Sequence, residues 1–577
     1  VLQPVRYVLS FPSPHTHYVE ITAFVPNDGA LVIEMMMAVW TPGSYLVREF
    51  SRHVEAVTAT ATDGSPLPVV KTRKNRWSIA VDGSPEVRLS YRVYGREMSV
   101  RTNWIEADFA LINGAATFMT PVGFARRPHE IVLQPAGGWA ESFTALPAGP
   151  DAAHSYVADN YDHLVDSPIL LGNPAVYRFD VAGRPHALVN EGEAGVFDGA
   201  RAAADVERIV RQYHHMWGVL PYERYLFLNL ITEAGGGLEH AASTVLMTTR
   251  WTTRTRKAYL GWLGLVSHEF FHVWNVKRLR PVELGPFDYE RENHTRSLWV
   301  AEGFTDYYAD LVVHRAGLST REEYLETLSS KIEGLQATPG RLVQSLETAS
   351  FDAWIKHYRP DENSLNSAVS YYGKGAVVAF LLDARIRAAS GGARSLDDVL
   401  HAAYDAYSGA HGFTSQEIRT LVEEVGRVDL GSLWRDAVDG AGELDYAPAL
   451  ATLGLRFRSV TPAPKPWLGV TYRNDAGRLV VAQVRRDGPA HQAGLNVDDE
   501  IIALDGIRVR ADRIDDRLEQ YRAGDAVSIL VARRDRLMSV ELRLAHDPGR
   551  AWQLEVAPEL TAEQAGQLTR WLAGTEG

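Results

Sequence analysis

The stretch Ser267-His268-Glu269-Phe270-Phe271-His272-Val273-Trp274 decides how the chain is read. On a helix, residues four apart share a face, so the imidazoles of His268 and His272 converge on one point and Glu269 projects beside them. Two neutral imidazoles suit a divalent zinc ion but leave it unsaturated. A catalytic site of this kind takes one more protein ligand and keeps a position for water. Two sets of candidates for that ligand lie downstream. Glu290 and Glu292 sit in a polar, loop-like stretch. Glu302 stands in Leu298-Trp299-Val300-Ala301-Glu302-Gly303-Phe304, an apolar helical run where an ionised carboxylate is costly unless paired or metal-bound. Burial favours Glu302. Asp306 falls one turn later on the same face, placed to accept the remaining N–H of a ligating histidine and fix its tautomer. The expectation is one Zn2+ ion per chain on His268, His272 and Glu302, with Glu269 as the base.

Composition narrows the alternatives. With 577 residues the chain is too long for a single core, and at roughly 150 residues per domain several units are expected. Lys and Arg number 59 against 72 Asp and Glu, a formal charge of −13 that argues against a nucleic-acid partner. There is no cysteine, which removes disulfides, thiolate metal sites and cysteine nucleophiles, so a metal must rest on His, Asp or Glu. No apolar run reaches the ~18 to 20 residues of a membrane helix, and residues 375–382, the longest obvious candidate, fall far short. The sequence opens at Val1 rather than Met, which fits a removed leader or tag. A periplasmic or secreted setting is expected, with the cytoplasm as the alternative, because a cysteine-free chain suits both.

Upstream of the histidine pair the hydrophobic period changes. Val87-Arg88-Leu89-Ser90-Tyr91-Arg92-Val93 alternates apolar with polar, as does Trp77, Ile79, Val81, and Asp63-Gly64 and Asp82-Gly83 supply turns. Residues 1–172 therefore read as a β-sandwich. From about Ala202 the pattern is helical, with helices expected over 259–276, 297–316 and 376–388, the first stopped by Pro281 and the second capped at Gly317. The run Thr461-Pro462-Ala463-Pro464-Lys465-Pro466 reads as a stiff linker. The tail from Thr561 to Ala573 reads as a helix with Thr561 at its N-cap, serving packing rather than a separate module.

The histidine motif, followed by Trp299-Val300-Ala301-Glu302-Gly303-Phe304-Thr305-Asp306-Tyr307-Tyr308, resembles the gluzincin metallopeptidases. Within them it is similar to the glycyl aminopeptidases, which join this catalytic unit to a PDZ domain. The resemblance implies a multidomain α+β protein: the sandwich, a thermolysin-like mostly helical catalytic domain over 173–460, and a PDZ domain with its linker and helical tail over 461–577. The more distant alanyl aminopeptidases would place the third ligand near Arg291, about ten residues earlier, so Glu302 rests on its apolar context. Gly236-Gly237-Leu238-Glu239-His240 resembles the Gly-x-Met-Glu-Asn strand whose glutamate holds the substrate's free amine. Independently of the name, a glycine pair lets a peptide backbone approach, and a fixed carboxylate beside a metal neutralises an ammonium and limits cleavage to the first residue. Tyr371-Tyr372-Gly373-Lys374-Gly375 resembles the Tyr-x-Lys-Gly element of the same enzymes, which assigns the oxyanion donor to Tyr372, with Tyr371 as the rival.

Two further segments carry the family likeness. Trp467-Leu468-Gly469-Val470 stands where a PDZ domain keeps its carboxylate-binding loop, and residues 487–506 resemble the PDZ domains of bacterial proteases. Such a domain adds a C-terminal peptide as an extra strand, or here only braces the catalytic unit. Trp40-Thr41-Pro42-Gly43-Ser44-Tyr45 resembles a segment common in the family and is expected to support the catalytic domain or line its cleft. The function implied is a zinc aminopeptidase acting on peptides with a free N-terminus and releasing small residues, glycine first and alanine next. The alternatives are a zinc endopeptidase with PDZ-guided substrates and a non-catalytic PDZ scaffold.

Overall fold

The computed structural model describes residues 3–81, 83–150, 153–458, 465–547 and 552–574. Residues 461–464 of the proline-rich stretch, and Asp82 of the second turn, lie outside them.

Alternation builds the first unit. In the strand Glu86–Tyr94 the side chains of Val87, Leu89, Tyr91 and Val93 are buried while Arg88 and Arg92 face out. That strand lies inside a seven-stranded sheet, between Tyr18–Pro26 and Val54–Ala61. A four-stranded sheet containing Val32–Met36 and Arg76–Ala80, and another containing Ala110–Ile112 and Ile169–Gly172, share its apolar core. Tyr7, Met35, Trp77, Phe118 and Leu171 meet there, so this unit is a layered β domain closed on one core.

The second unit begins with five strands in the order Ala175–Val181, Arg184–Glu191, Tyr225–Ile231, Ser243–Thr248, Gly236–Glu239. The middle three run parallel, and the long helix Gly199–Trp217 supplies the crossover that the first parallel pair requires. Gly236–Glu239 is the antiparallel edge strand, lying along the helix Arg256–Phe271. Beyond this sheet the unit is helical, with Tyr371–Ala389 buried at its centre.

The expected helices form, with informative differences. The first ends at Phe271, well short of Pro281, and His272 is its C-cap residue. The chain leaves it through tight turns, Val273 N–H to Phe270 O and Trp274 N–H to Phe271 O. The second opens as a π-helical turn, Trp299–Phe304, before continuing as an α-helix over Thr305–Arg315. Such turns occur mostly as local interruptions at functional positions. The third starts earlier than its pattern suggested, at Tyr371, where Ser370 caps it by accepting from Gly373 N–H.

The PDZ unit has its own core of Leu468, Leu479, Val481, Ile501, Ile529 and Val540. Asn366 joins it to the helical unit, donating to Val484 O at 2.8 Å and accepting from Arg486 N–H at 2.8 Å. After the PDZ unit the chain returns. Leu554–Val556 pairs with Leu455–Phe457, and the helix Ala562–Ala573, capped by Thr561, buries Trp571 against Tyr324 and Phe380. In space this last segment belongs with the helical unit, although in sequence it follows the PDZ. Among the described residues no helix is long and apolar enough to cross a membrane.

One close approach sets the spacing of the centre. Gly303, in the π turn, faces Gly375 in Tyr371–Ala389 so closely that a Cβ on Gly303 would stand 2.5 Å from Gly375 Cα. Gly303→Ala should therefore destabilise the protein by about 1 to 3 kcal/mol, as overpacking against rigid backbone does. A thermal melt indistinguishable from the wild type would show that the two segments are free to separate.

Candidate active site

His268 and His272 project from the end of Arg256–Phe271, and Glu302 reaches them from the π turn. His268 Nε2 and His272 Nε2 are 3.1 Å apart, and Glu302 Oε2 lies 3.4 Å from the first and 3.2 Å from the second. These edges match the roughly 3.3 Å between ligand atoms of a tetrahedral centre with bonds of about 2.0 Å. Glu302 Oε2 is buried with no hydrogen-bond partner in protein, although a buried carboxylate oxygen without one is costly. Charge points the same way. Burial would raise the Glu302 carboxyl, but the two imidazoles hold it down at about 2. Burial would lower His272, yet Glu302 and Glu239 carry it up to about 9. The pocket thus favours positive charge, and its donor set fits a divalent metal.

Glu290 and Glu292 do not approach this point. Glu290 is engaged by Arg76 and Asn75 of the β domain, and Glu292 is exposed. Asp306 corrects an expectation. Its Oδ1 stands 3.9 Å from His268 Nδ1, beyond hydrogen-bond reach, and its Oδ2 accepts from Lys331 Nζ at 2.7 Å. Lys331, on the helix Arg321–Ala337, is the partner its carboxylate takes instead.

The residue that the sequence did not reveal is Asn275. Its backbone oxygen accepts from His272 Nδ1 at 2.7 Å, which leaves Nε2 bare and aimed at the cluster. Its side-chain amide donates to Val300 O at 3.0 Å and Ala301 O at 3.2 Å. One buried residue therefore orients the His272 ring and ties down the segment that carries Glu302. Only its place three residues after His272 signals the role, and that becomes visible once the helix is seen to end at Phe271.

Glu269 is buried beside the cluster. Burial pushes its carboxyl up to about 7, against the pull of His268 and His272 and with a further push from Glu239. The edge strand lies directly over it, and a Cβ on Gly237 would stand 2.2 Å from Glu269 Oε1. Gly236 opens the same strand and Glu239 closes it. Glu239 is buried with its Oε1 unpartnered, and its carboxylate lies within 4.8 Å of ligand atoms on Glu269 and His272. Behind it, Asp166 accepts from His240 Nδ1 at 3.1 Å, from Ala241 N–H at 2.8 Å and from Lys277 Nζ at 2.7 Å. Burial would raise Asp166, but Lys277 and His240 hold it well below the usual carboxylate range, so the turn after Glu239 is anchored by a permanent charge.

Tyr372 lines the cleft, its ring 6.1 Å from that of His268, whereas Tyr371 is fully buried in the core. Burial, and then the charge of Glu302, raise the Tyr372 phenol well above its ordinary value, so it stays protonated and able to donate. The Trp40–Tyr45 segment reaches in from the β domain. Trp40 Nε1 donates to Asp288 O at 2.8 Å, Tyr45 packs edge-on against Trp354, and Gly43 sits at φ 85° against Glu239. A Cβ on Gly43 would stand 2.5 Å from Glu239 Oε1, so only glycine lets the loop roof this carboxylate. The whole cleft encloses about 610 Å³.

The chain matches the Peptidase M61 N-terminal domain over residues 6–173, the M61 glycyl aminopeptidase family over 261–378 and a PDZ domain over 453–544. Its β domain and the segment that carries the cluster both match M61 peptidases. The crystal structure of an aminopeptidase N family protein from Idiomarina loihiensis superposes with a TM-score of 0.91 at 29% identity, covering 98% of this chain and 100% of that one. An M1 zinc metallopeptidase from Deinococcus radiodurans is more distant, with a TM-score of 0.46, 13% identity, and 77% and 95% of the two chains covered. No curated protein matches. The chain is a metallo-aminopeptidase in class, and its multi-sheet β domain, helical middle and PDZ unit are the architecture the resemblance implied.

Asn275→Ala leaves in place the backbone oxygen that orients His272 but removes the amide that holds Val300 O and Ala301 O beside Glu302; it should keep the fold and weaken metal binding by about 10- to 100-fold, the usual cost of losing an outer contact that positions a ligand. Titration against a chelator of known affinity measures it, and unchanged affinity would remove Asn275 from the design of the site.

Proposed function

We propose that the chain is a zinc-dependent aminopeptidase that releases small N-terminal residues, glycine before alanine. The observation that carries the reading is Glu239: a buried carboxylate with a free oxygen, sharing one small cleft with the His268, His272 and Glu302 cluster and with Glu269. An ammonium seated on Glu239 leaves room for a single residue before the reacting centre. Zinc is the favoured metal because two imidazoles and a carboxylate are the donors it takes in hydrolytic sites. The preference for glycine draws support from the roof that Gly43 places over Glu239 and from the family name.

The division of labour follows from the geometry. Bound zinc would supply Lewis-acid activation of a water and of the scissile carbonyl. Glu269, buried and poised by its surroundings near neutrality, takes the proton from the attacking water and passes it to the leaving amine. Tyr372 donates its phenolic hydrogen to the oxyanion, and Glu239 holds the substrate amine in register. The roof of β-domain residues excludes bulk water from these charges. The PDZ unit receives C-terminal peptide segments along the strand Val470–Asp475, beyond its Leu468-Gly469 loop.

Metal content is to be measured together with hydrolysis of glycyl and alanyl p-nitroanilides, before and after chelation and zinc replacement. Chelation should abolish turnover, and N-acetylation of the substrate should do the same; turnover of acetylated peptides would favour an endopeptidase instead. Glu269→Gln should retain its metal and lose about 10²- to 10⁴-fold in kcat, the share of general acid–base catalysis. A Glu269→Gln enzyme with wild-type turnover would remove this residue from the chemistry.

A further inference from the structure

Arg101 is a cation without a partner at the mouth of the reaction. It lies in the loop between the strands Glu86–Tyr94 and Trp104–Ile105 of the β domain, and lines the same cleft as Glu239, Glu269 and Tyr372. Among the described residues its guanidinium makes no ion pair and no hydrogen bond, and its Nε is shut off from solvent with nothing to receive its hydrogen. Arg48, a few residues after Gly43, repeats the pattern. Its Nη2 donates to Ser44 Oγ at 2.9 Å, but its Nε is also buried and unpaired. Burial, and then the charge of Arg101, press the Arg48 guanidinium below its ordinary value, and the exposed Glu97 offsets this only in part. Two guanidinium groups thus stand near enough to oppose one another with no ion-paired carboxylate to neutralise them. Such an arrangement is costly unless an anion arrives from outside.

We infer that Arg101, backed by Arg48, receives a carboxylate of the peptide substrate beyond the scissile bond. This rests on the aminopeptidase reading above and adds the substrate class: short peptides whose C-terminal carboxylate, or the side chain of an acidic second or third residue, reaches the guanidinium fork. An acidic first residue is a poor fit, because its charge would lie among Glu239, Glu269 and Glu302. A carboxylate further along the chain escapes that repulsion. The planar guanidinium suits bidentate recognition of a carboxylate.

The test uses the zinc-loaded full chain and compares kcat/KM for Gly-Ala-Ala, Gly-Ala-Ala-amide and Gly-Asp-Ala-amide. One of the two acids should exceed the neutral amide by at least about tenfold, the worth of a hydrogen bond to a charged group. A preference for the free acid assigns the site to the chain terminus, and a preference for Gly-Asp-Ala-amide assigns it to a side chain. In Arg101→Met that ratio should collapse toward one, chiefly through KM, and Arg101→Lys should keep part of it. Equal kcat/KM for all three peptides in the wild type overturns the proposal without any variant having to fold. A ratio that survives intact in a folded Arg101→Met enzyme overturns it as well. Failure of the aminopeptidase reading looks different, since none of the three peptides would then be hydrolysed.

Discussion

Three lone-pair atoms facing one another at 3.1 to 3.4 Å, buried and with no protein hydrogen bond on Glu302 Oε2, form an arrangement that the protein must impose. A nitrogen pair and a carboxylate oxygen do not gather in this way unless a cation is to sit among them. Several features of the helical unit serve that convergence. The helix that carries the histidines stops at Phe271, so the turn after it can present Asn275 O to His272 Nδ1. The next helix opens with a π turn, and the Asn275 amide donates to two of its carbonyls. Gly303 and Gly375 let that turn lie against Tyr371–Ala389, bringing Tyr372 to the same cleft as Glu302.

The cleft is shared between units. The β domain is more than a support: Gly43 closes the space around Glu239, and Arg101 brings a cation with a buried, unpartnered Nε to a cleft rich in carboxylates. Trp40 and Tyr45 are buried in the core of the helical unit rather than in that of their own domain, which ties the roof to the floor. A rigid joint matters here because substrate orientation falls off steeply with small displacements of the groups that hold it. The returning C-terminal helix contributes to the same rigidity. Trp571 Nε1 donates to the Tyr307 hydroxyl at 2.8 Å, and Tyr307 in turn donates to Asp383 at 2.7 Å. Tyr307 lies in the α-helix that continues from the Glu302 turn.

Much of this was legible in the residues themselves. Alternation in Glu86–Tyr94, the spacing of His268 and His272, and an acid inside the apolar run around Glu302 each follow from local periods of the backbone, and those periods are written in sequence. That Glu302 would be the acid to join the histidine pair was legible for the same reason, since a carboxylate among Trp299, Val300 and Phe304 needs a partner wherever it is folded. Tertiary structure alone decided the rest. Whether the turn holding Glu302 is α or π depends on what packs against it, and the partner that Asp306 takes depends on where Lys331 arrives. Asn275, Gly43 and Arg101 are common residue types in unremarkable stretches, and their roles arise from contacts between segments that lie far apart in the chain. A local pattern records which face of an element is apolar; it carries no record of which distant loop will arrive above that face.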